Sequence, residues 1–302
     1  MGKHAYCIIA HNDKYCLSKL LSILDDERND IFLLLDKKVS ADFATGLHAN
    51  KSNLKIIEKE KRVDVRWGHI SQIEAELTVL ATAIENGSYD YIHLISGADL
   101  PIKSQDEIHK FFDTQPSGTL FVTINEDPAM VRNVLDKVRY YNFFTKYQRS
   151  VNPLYKLLSS IGNKAAIGFQ KSLGIKRKWK DYKIGKGSQW ATLTDEFVRH
   201  ILDRKNFILN KFRYIKCADE IFLQSEILNS QFKDKLYRNK DGNTDHMRKM
   251  EFRGDSPRVF TMSDYEMLIL SDDLFARKFS STVDKEIIDK ISSNLLPISP
   301  KR

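Results

Sequence analysis

Residues 89–103 read Tyr-Asp-Tyr-Ile-His-Leu-Ile-Ser-Gly-Ala-Asp-Leu-Pro-Ile-Lys, and the way this stretch is read decides the fold. Tyr91 to Ile95 is apolar enough to be a strand buried on both faces, as strands of parallel or mixed sheets are. It stops abruptly at Ser96-Gly97-Ala98-Asp99. Pro101 has no N–H and bars a simple continuation as a central strand, and the polar run after it opens a helix near Ser104. An acid at the C-terminal lip of a buried strand, beside a glycine that lets backbone approach a ligand, marks the crevice of an open α/β sheet. The same residues equally suit a tight turn whose Asp merely caps the next helix. The rest of the chain separates the two.

Upstream, Ala5 to Ala10 reads as a first strand ending in the polar turn His11-Asn12-Asp13. Leu17, Leu20, Leu21 and Leu24 recur at helical spacing, and Ile31 to Leu35 is a second buried strand stopped by Asp36-Lys37-Lys38. Leu54 to Ile57 is a short third strand, Val63 to Gly68 a bend, and Ser71 to Ile84 an amphipathic helix. Strand and helix alternating in this way predict a parallel, Rossmann-like nucleotide-binding half. Downstream, Thr119 to Ile124 and Gln189 to Leu193 read as strands. Val131 to Tyr147 holds a helix-like stretch, and Asp195 to Leu202 is a helix with Thr194 as its cap. Ala218-Asp219-Glu220 opens a helix to Leu228; Ser256 to Thr261 is extended. No Gly-, Ser- or Pro-rich linker divides the chain. One domain with two lobes, 1–125 and 126–302, is expected around a mixed central sheet.

At 302 residues the chain can bury a substantial core, and no stretch reaches eighteen apolar residues, so neither a signal peptide nor a membrane span is read. Three scattered cysteines, Cys7, Cys16 and Cys217, fit neither a metal site nor a disulfide framework and point to a reducing, cytoplasmic setting. The net charge of +8 is concentrated: residues 146–186 carry eleven Lys or Arg against one acid, Asp181. A solvated surface with Gly162, Gly168, Gly174, Gly185 and Gly187 breaking up the segment is the plain reading. With Tyr147, Tyr155, Phe169, Trp179 and Tyr182 interleaved, the segment also suits an anionic membrane surface or a phosphorylated acceptor. A nucleic-acid groove rests on this segment alone and ranks last.

Three acids stand at element ends, where side chains reach a crevice: Asp36, Asp99 and Glu220. Glu220 follows another acid at a helix start, which suits a transient proton acceptor as well as a simple N-terminal helix residue. The late cations Arg253, Arg258, Arg277 and Lys278 could hold a diphosphate, or could be ordinary surface charge. A Walker loop, a Gly-x-Gly-x-x-Gly after the first strand and a mid-chain strand-end Asp-x-Asp pair are all missing from the sequence. If a nucleotide diphosphate binds here, Lys and Arg rather than a divalent cation are expected to neutralise it, and no metal ligands are assigned.

In order, the chain shows Ala-Tyr-x-Ile-x-x-His near its start, Leu-Leu-Leu-Asp36, Val-x-x-Arg66-Trp67-Gly68, and Gly-Ala-Asp99-Leu-Pro-Ile-Lys. Gly-Ser188-Gln189-Trp190, Ala-Asp-Glu220, Ser-Pro-Arg258 and Leu-Phe-Ala-Arg-Lys278-Phe follow. From about Ala5 to Phe279 this resembles the core-2/I-branching β-1,6-N-acetylglucosaminyltransferase family, which includes peptide O-xylosyltransferases. The resemblance implies a GT-A-like fold and an inverting, metal-independent transfer from a UDP-sugar, with no cofactor. UDP-GlcNAc is the first candidate donor and UDP-xylose the alternative. It makes Glu220 the catalytic base, Lys278 the cation that stands in for a metal, with Arg258 or Arg253 sharing that task, and Asp36 the contact to uridine. Arg66, Trp67, Asp99, Ser188, Gln189 and Trp190 fall in the matching stretches as further substrate contacts. A non-catalytic UDP-sugar-binding protein of the same fold is the competing reading.

Animal members carry a membrane anchor and several disulfides, and this chain shows neither. The expectation is a bacterial cytoplasmic enzyme of capsule, exopolysaccharide or related surface-glycan synthesis, peripheral to the inner membrane face. Residues 143–186 have no clear counterpart in the family, and a lipid-linked glycan acceptor would suit their positive, aromatic-rich surface.

Overall fold

The computed structural model describes residues 2–254 and 256–296, apart from the side chain of Asp136, so that 297–302 at the end of the second lobe lie outside it. The chain begins with β1 (His4–Ala10), α1 (Lys14–Leu24), β2 (Asn29–Leu35), β3 (Asn53–Ile56), α2 (Ser71–Asn86) and β4 (Tyr91–Ser96). β1 pairs in parallel with both β2 and β4, and β3 adds to β2. Every residue of β2 and β4 is buried, which is why their sequence shows a continuous apolar run without alternation. The pleat of β1 sends Ala5 and Cys7 into a core with α2, and Tyr6, Ile8 and Ala10 into a second core with α1. This is the doubly wound half the sequence predicts.

The end of β4 is tightly packed. Gly97 donates to the Ile9 carbonyl at 3.0 Å, and a Cβ on Gly97 would lie 2.7 Å from that of Ala10. The chain then turns into β5 (Asp99–Pro101), so Pro101 closes a short strand outside the main sheet. Ser104 caps α3 (Gln105–Asp113) in a full capping box with Glu107. Residues 119–124, expected as a strand, make only single bridges, Leu120 to Leu236 and Phe121 to Thr192, because no neighbour runs beside them for longer.

α4 (Pro128–Val138) and α5 (Pro153–Ser172) follow. The glycines of the basic segment were expected to break it up. Gly162 and Gly168 instead sit within a 20-residue helix, the first where a Cβ would come within 3.2 Å of the Phe144 ring. β6 (Ala191–Leu193) pairs antiparallel with β4 and completes the mixed sheet in the order β3-β2-β1-β4-β6. Thr194 precedes α6 (Asp195–Asp203) as expected, but its hydroxyl makes no cap bond. Then come α7 (Lys205–Phe212), a 3₁₀ turn at Ala218–Glu220 and α8 (Phe222–Leu228). β7 (Arg248–Met250), the antiparallel pair β8 (Phe252–Arg253) and β9 (Ser256–Pro257), and α9 (Tyr265–Leu270) lead to β10 (Phe275–Arg277). β10 inserts between β5 and β7, so the C-terminal lobe is tied to the strand following the β4 turn. α10 (Lys285–Leu295) covers α1 through the Lys19–Asp289 ion pair of 2.9 Å and a buried face of Ile287, Ile288 and Ile291.

Gly97→Ala should overpack the β1–β4 junction and cost about 1–3 kcal/mol. Urea unfolding is expected to show a lower midpoint at unchanged slope.

Candidate active site

The C-terminal ends of β1, β2 and β4 present His11, Asp36 and Gly97 to one rim, and the segment after β10 is stitched across it. Arg277 donates to Asp99 Oδ1 at 2.6 Å and also to the Ser96 hydroxyl. The Phe279 N–H reaches the Ala98 carbonyl at 2.9 Å, and the Ser281 N–H reaches Asp13 Oδ2 at 2.6 Å. Lys278 lies between these anchors and has no carboxylate partner among the described residues, while the Phe260 N–H takes its carbonyl at 2.9 Å. Burial, opposed by Asp36 and reinforced by Lys278, Lys38 and Arg277, holds the His11 imidazole below its usual range. With His11 neutral, the Lys278 ammonium is the cation of this rim that has no carboxylate partner among the described residues and is open to an anion.

On the β2 side, buried Asp36 accepts the Lys38 backbone N–H at 2.8 Å and the Lys38 ammonium at 2.7 Å. The same ammonium reaches Asp64 at 2.7 Å, and Arg66 closes on Asp64 at 2.8 Å, giving an alternating chain of charges along the rim. Next to it Trp67 is exposed, with the Arg149 guanidinium stacked 3.6 Å from its ring centre. A cavity of about 400 Å³ opens there, lined by Trp67, Arg149, Lys156, Lys164 and Lys216.

Glu220 ends the 3₁₀ turn that follows Cys217, a residue held in the left-handed region at φ 54°. Its side chain is 42% exposed and faces the Lys186 ammonium at 3.2 Å. The Gly187 N–H bonds the Glu220 carbonyl at 2.9 Å, so the loop bearing Lys186 is fixed to the turn bearing the acid. Behind Glu220 lie two buried acids. Buried Asp219 accepts from Gln72 at 2.6 Å, and burial followed by the Glu220 charge pushes it up to about 7. Fully buried Glu76, reached by Gln189 at 3.5 Å, is pushed well above the usual carboxylate range by burial and by Asp219. The two acids in the interior are thus biased to their neutral forms, and Glu220 is the one of the three that meets solvent and a cation. Such a carboxylate can accept a proton from an alcohol.

A family model for core-2/I-branching enzymes matches residues 4–267. The chain belongs to the core-2/I-branching enzyme family. It is a glycosyltransferase that uses a nucleotide sugar. The expected α/β architecture, GT-A-like with a mixed central sheet, agrees with the strand order above. A solved galactosyltransferase, LgtC in complex with donor and acceptor sugar analogs, aligns with a TM-score of 0.40 and 11% identity over 98% of this chain and 97% of that one, which is too distant to bear on the site. A search of curated proteins gives no match.

Within this transferase the residues expected at the site divide. Ser188, Gln189 and Trp190 lie on the Lys186 loop: Ser188 takes a bond from its own Trp190 N–H, and Gln189 reaches Glu76. The Arg277 guanidinium sits 4.7 Å from the Trp190 ring centre, so this loop joins the Glu220 corner to the Lys278 rim. Asp99 differs from expectation. It is 2% exposed, and its oxygens are taken by Ser96 and Arg277, so it shapes the turn and cannot face a substrate. Arg258 also differs, for its guanidinium is held bidentate by Asp264 at 2.7 and 2.8 Å and by Glu251 at 2.7 Å. Arg253 is exposed on the β8–β9 hairpin, apart from these bonds. Lys186 and Glu76 were missed as site residues, and Arg277, weighed as a diphosphate cation, is instead spent on Asp99. Glu76 had left a signal, an acid three residues after Ile73 beside the apolar stripe of α2.

The raised Asp219 and Glu76 set a pH dependence of stability. Both bind protons in the folded state that the unfolded chain has released, so the stability these two acids contribute is full below about pH 4 and is lost as pH rises towards 7, against the opposite contribution of the buried histidines His4 and His93, which are held neutral. Asp219→Asn removes one of these sites and relieves the other. Its thermal midpoint, measured against that of the wild type at the same pH, is expected to gain as pH rises from 4 to 7, as followed by circular dichroism.

Proposed function

We propose that this transferase is inverting and independent of metal, moving GlcNAc from UDP-GlcNAc to a hydroxyl of a glycan in bacterial capsule, exopolysaccharide or related surface-glycan synthesis. The observation that carries the reading is one loop, Lys186 to Trp190, that meets the half-exposed acid Glu220 through Lys186 and the Arg277 guanidinium through Trp190, next in the chain to Lys278, which has no carboxylate partner among the described residues. Asp36 lies at the rim where the uridine would sit, already oriented by Lys38.

In this reaction Glu220 accepts the proton of the acceptor hydroxyl as that oxygen attacks the anomeric carbon. The attack comes from the face opposite the diphosphate. The bond from that carbon to the diphosphate oxygen breaks, its electron pair leaves with UDP, and the anomeric configuration inverts. Lys278 neutralises the charge that develops on the leaving diphosphate, a task for a point charge placed before the reaction begins. Lys186 holds Glu220 in place without filling its second oxygen.

Turnover and calorimetric donor binding, both in EDTA, test the reading. Glu220→Gln should bind donor as the wild type does and lose roughly 10²–10⁴-fold in turnover. Lys278→Ala should lose turnover by about 10²–10³-fold. Donor binding that requires manganese, or a Glu220→Gln variant that turns over normally, would sink it.

A further inference from the structure

Helix α5 packs the wrong way round for a helix in water. The residues it turns inward are polar: Ser159 donates to the Phe144 carbonyl, Asn163 to Asn142 Oδ1 at 3.0 Å and Gln170 to the Tyr141 carbonyl at 2.9 Å. The residues it turns outward are apolar. Leu154, Leu157, Leu158, Ile161 and Phe169 are between 55 and 63% exposed. At 100° per residue they occupy one sector about 120° wide, the width of a stripe that normally faces a core. Val151 before the helix and Leu173 after it extend the same exposed strip at 102 and 58%.

Cations border this stripe. Lys156, Lys164 and Lys171 follow one flank of the helix, and Lys176, Lys178 and Lys180 continue beyond it. Arg177 and Lys186 are turned inward, to Tyr141 and Trp179 and to Glu220, but the other cations of the segment are exposed, with Asp181 as its single acid. Among the described residues no helix is long and apolar enough to cross a membrane, so a lipid contact would lie in the plane of the surface.

We propose that α5 is an interfacial helix that seats the transferase on an anionic lipid surface, with the Leu154–Phe169 stripe among acyl chains and the lysines at the headgroup phosphates. Charge complementarity selects this occupant. A second copy docked through the same stripe would bring two uncompensated rows of lysine together. Placement selects it as well. Lys156 and Lys164 share the cavity of about 400 Å³ with Trp67 and Lys216. The Cys217 N–H bonds the Gly68 carbonyl at 3.2 Å, which links that cavity to the turn carrying Glu220. The lipid face therefore adjoins the acceptor side, and a glycan borne on a lipid is the acceptor class it serves. That last step rests on the transferase reading above, whereas the lipid contact stands without it.

The test is co-sedimentation of the full chain with vesicles of phosphatidylglycerol and phosphatidylcholine, and of phosphatidylcholine alone, with UDP-sugar binding measured on the same samples. Wild type should sediment with the anionic vesicles only. Leu158→Glu with Ile161→Glu should lower partitioning roughly tenfold or more, since two charges enter the apolar layer. Lys171→Gln with Lys176→Gln should lower it roughly fivefold per charge at low salt and less at high salt. Donor affinity should be unchanged in every variant, which also reports folding. Wild type left in the supernatant, or Glu variants that sediment equally well, would overturn the proposal and leave the transferase reading standing. So would a solution dimer, seen by light scattering, that the Glu variants dissociate. Loss of donor binding in the wild type would count against the transferase reading alone.

Discussion

The bond between Arg277 and Asp99 is the constraint on which the rest of the site depends. Asp99 belongs to the turn that ends β4, and Arg277 to the end of β10, 178 residues later. Their pairing fixes the Ser96–Asp99 turn, lays the guanidinium on Trp190 and sets the next residue, Lys278, at the rim of the sheet. Asp99 is almost wholly buried, so its charge is tolerable only because Ser96 and Arg277 satisfy it. Removing either partner of such a pair typically costs about 3–5 kcal/mol, since it strands the other charge. The cost falls on the geometry that joins the two lobes.

The nucleotide-binding half was legible because its physics is local. β1, β2 and β4 are runs of apolar residues too long to be anything but buried strands, and α1 and α2 carry clean helical stripes. The second lobe was less legible for a complementary reason. Apart from the local β8–β9 pair, its strands are three residues long and exist by pairing with distant chain: β6 with β4, β10 with β5 and β7. No window of sequence contains both members of such a pair. Gly162 of α5 was misread as a breaker because, in sequence, a close approach to Phe144 and a turn look alike.

At the site, residue type was legible and orientation was not. An acid after Gly97 and an arginine after Ser-Pro both looked available to a ligand. Each is consumed by a partner that only the fold supplies, Arg277 in one case and the Asp264–Glu251 pair in the other. Lys278 stays open for the converse reason. Anchors on both sides of it are made by neighbours, through Arg277 and Phe279, so the backbone is fixed while its own ammonium is left unspent.

The Glu220 corner shows how a site can collect acids without collecting negative charge. Glu76, Asp219 and Glu220 lie within one network of bonds from Gln189, Gln72 and Lys186. In a dry interior two like charges a few ångströms apart repel far more strongly than in water, so the deeper groups give way first and take up protons. Burial is the larger cause for both Glu76 and Asp219, and the neighbouring acid is the second. The interior pair can then serve as hydrogen-bonding ballast that holds the 3₁₀ turn through Gln72. Negative charge is confined to the carboxylate at the water boundary, where Lys186 balances it and an acceptor hydroxyl can reach it. A single buried acid in place of the pair would not achieve this. Asp219 needs Gln72 to orient it, and Gln72 sits one turn from Glu76 on the helix that forms the floor of the site.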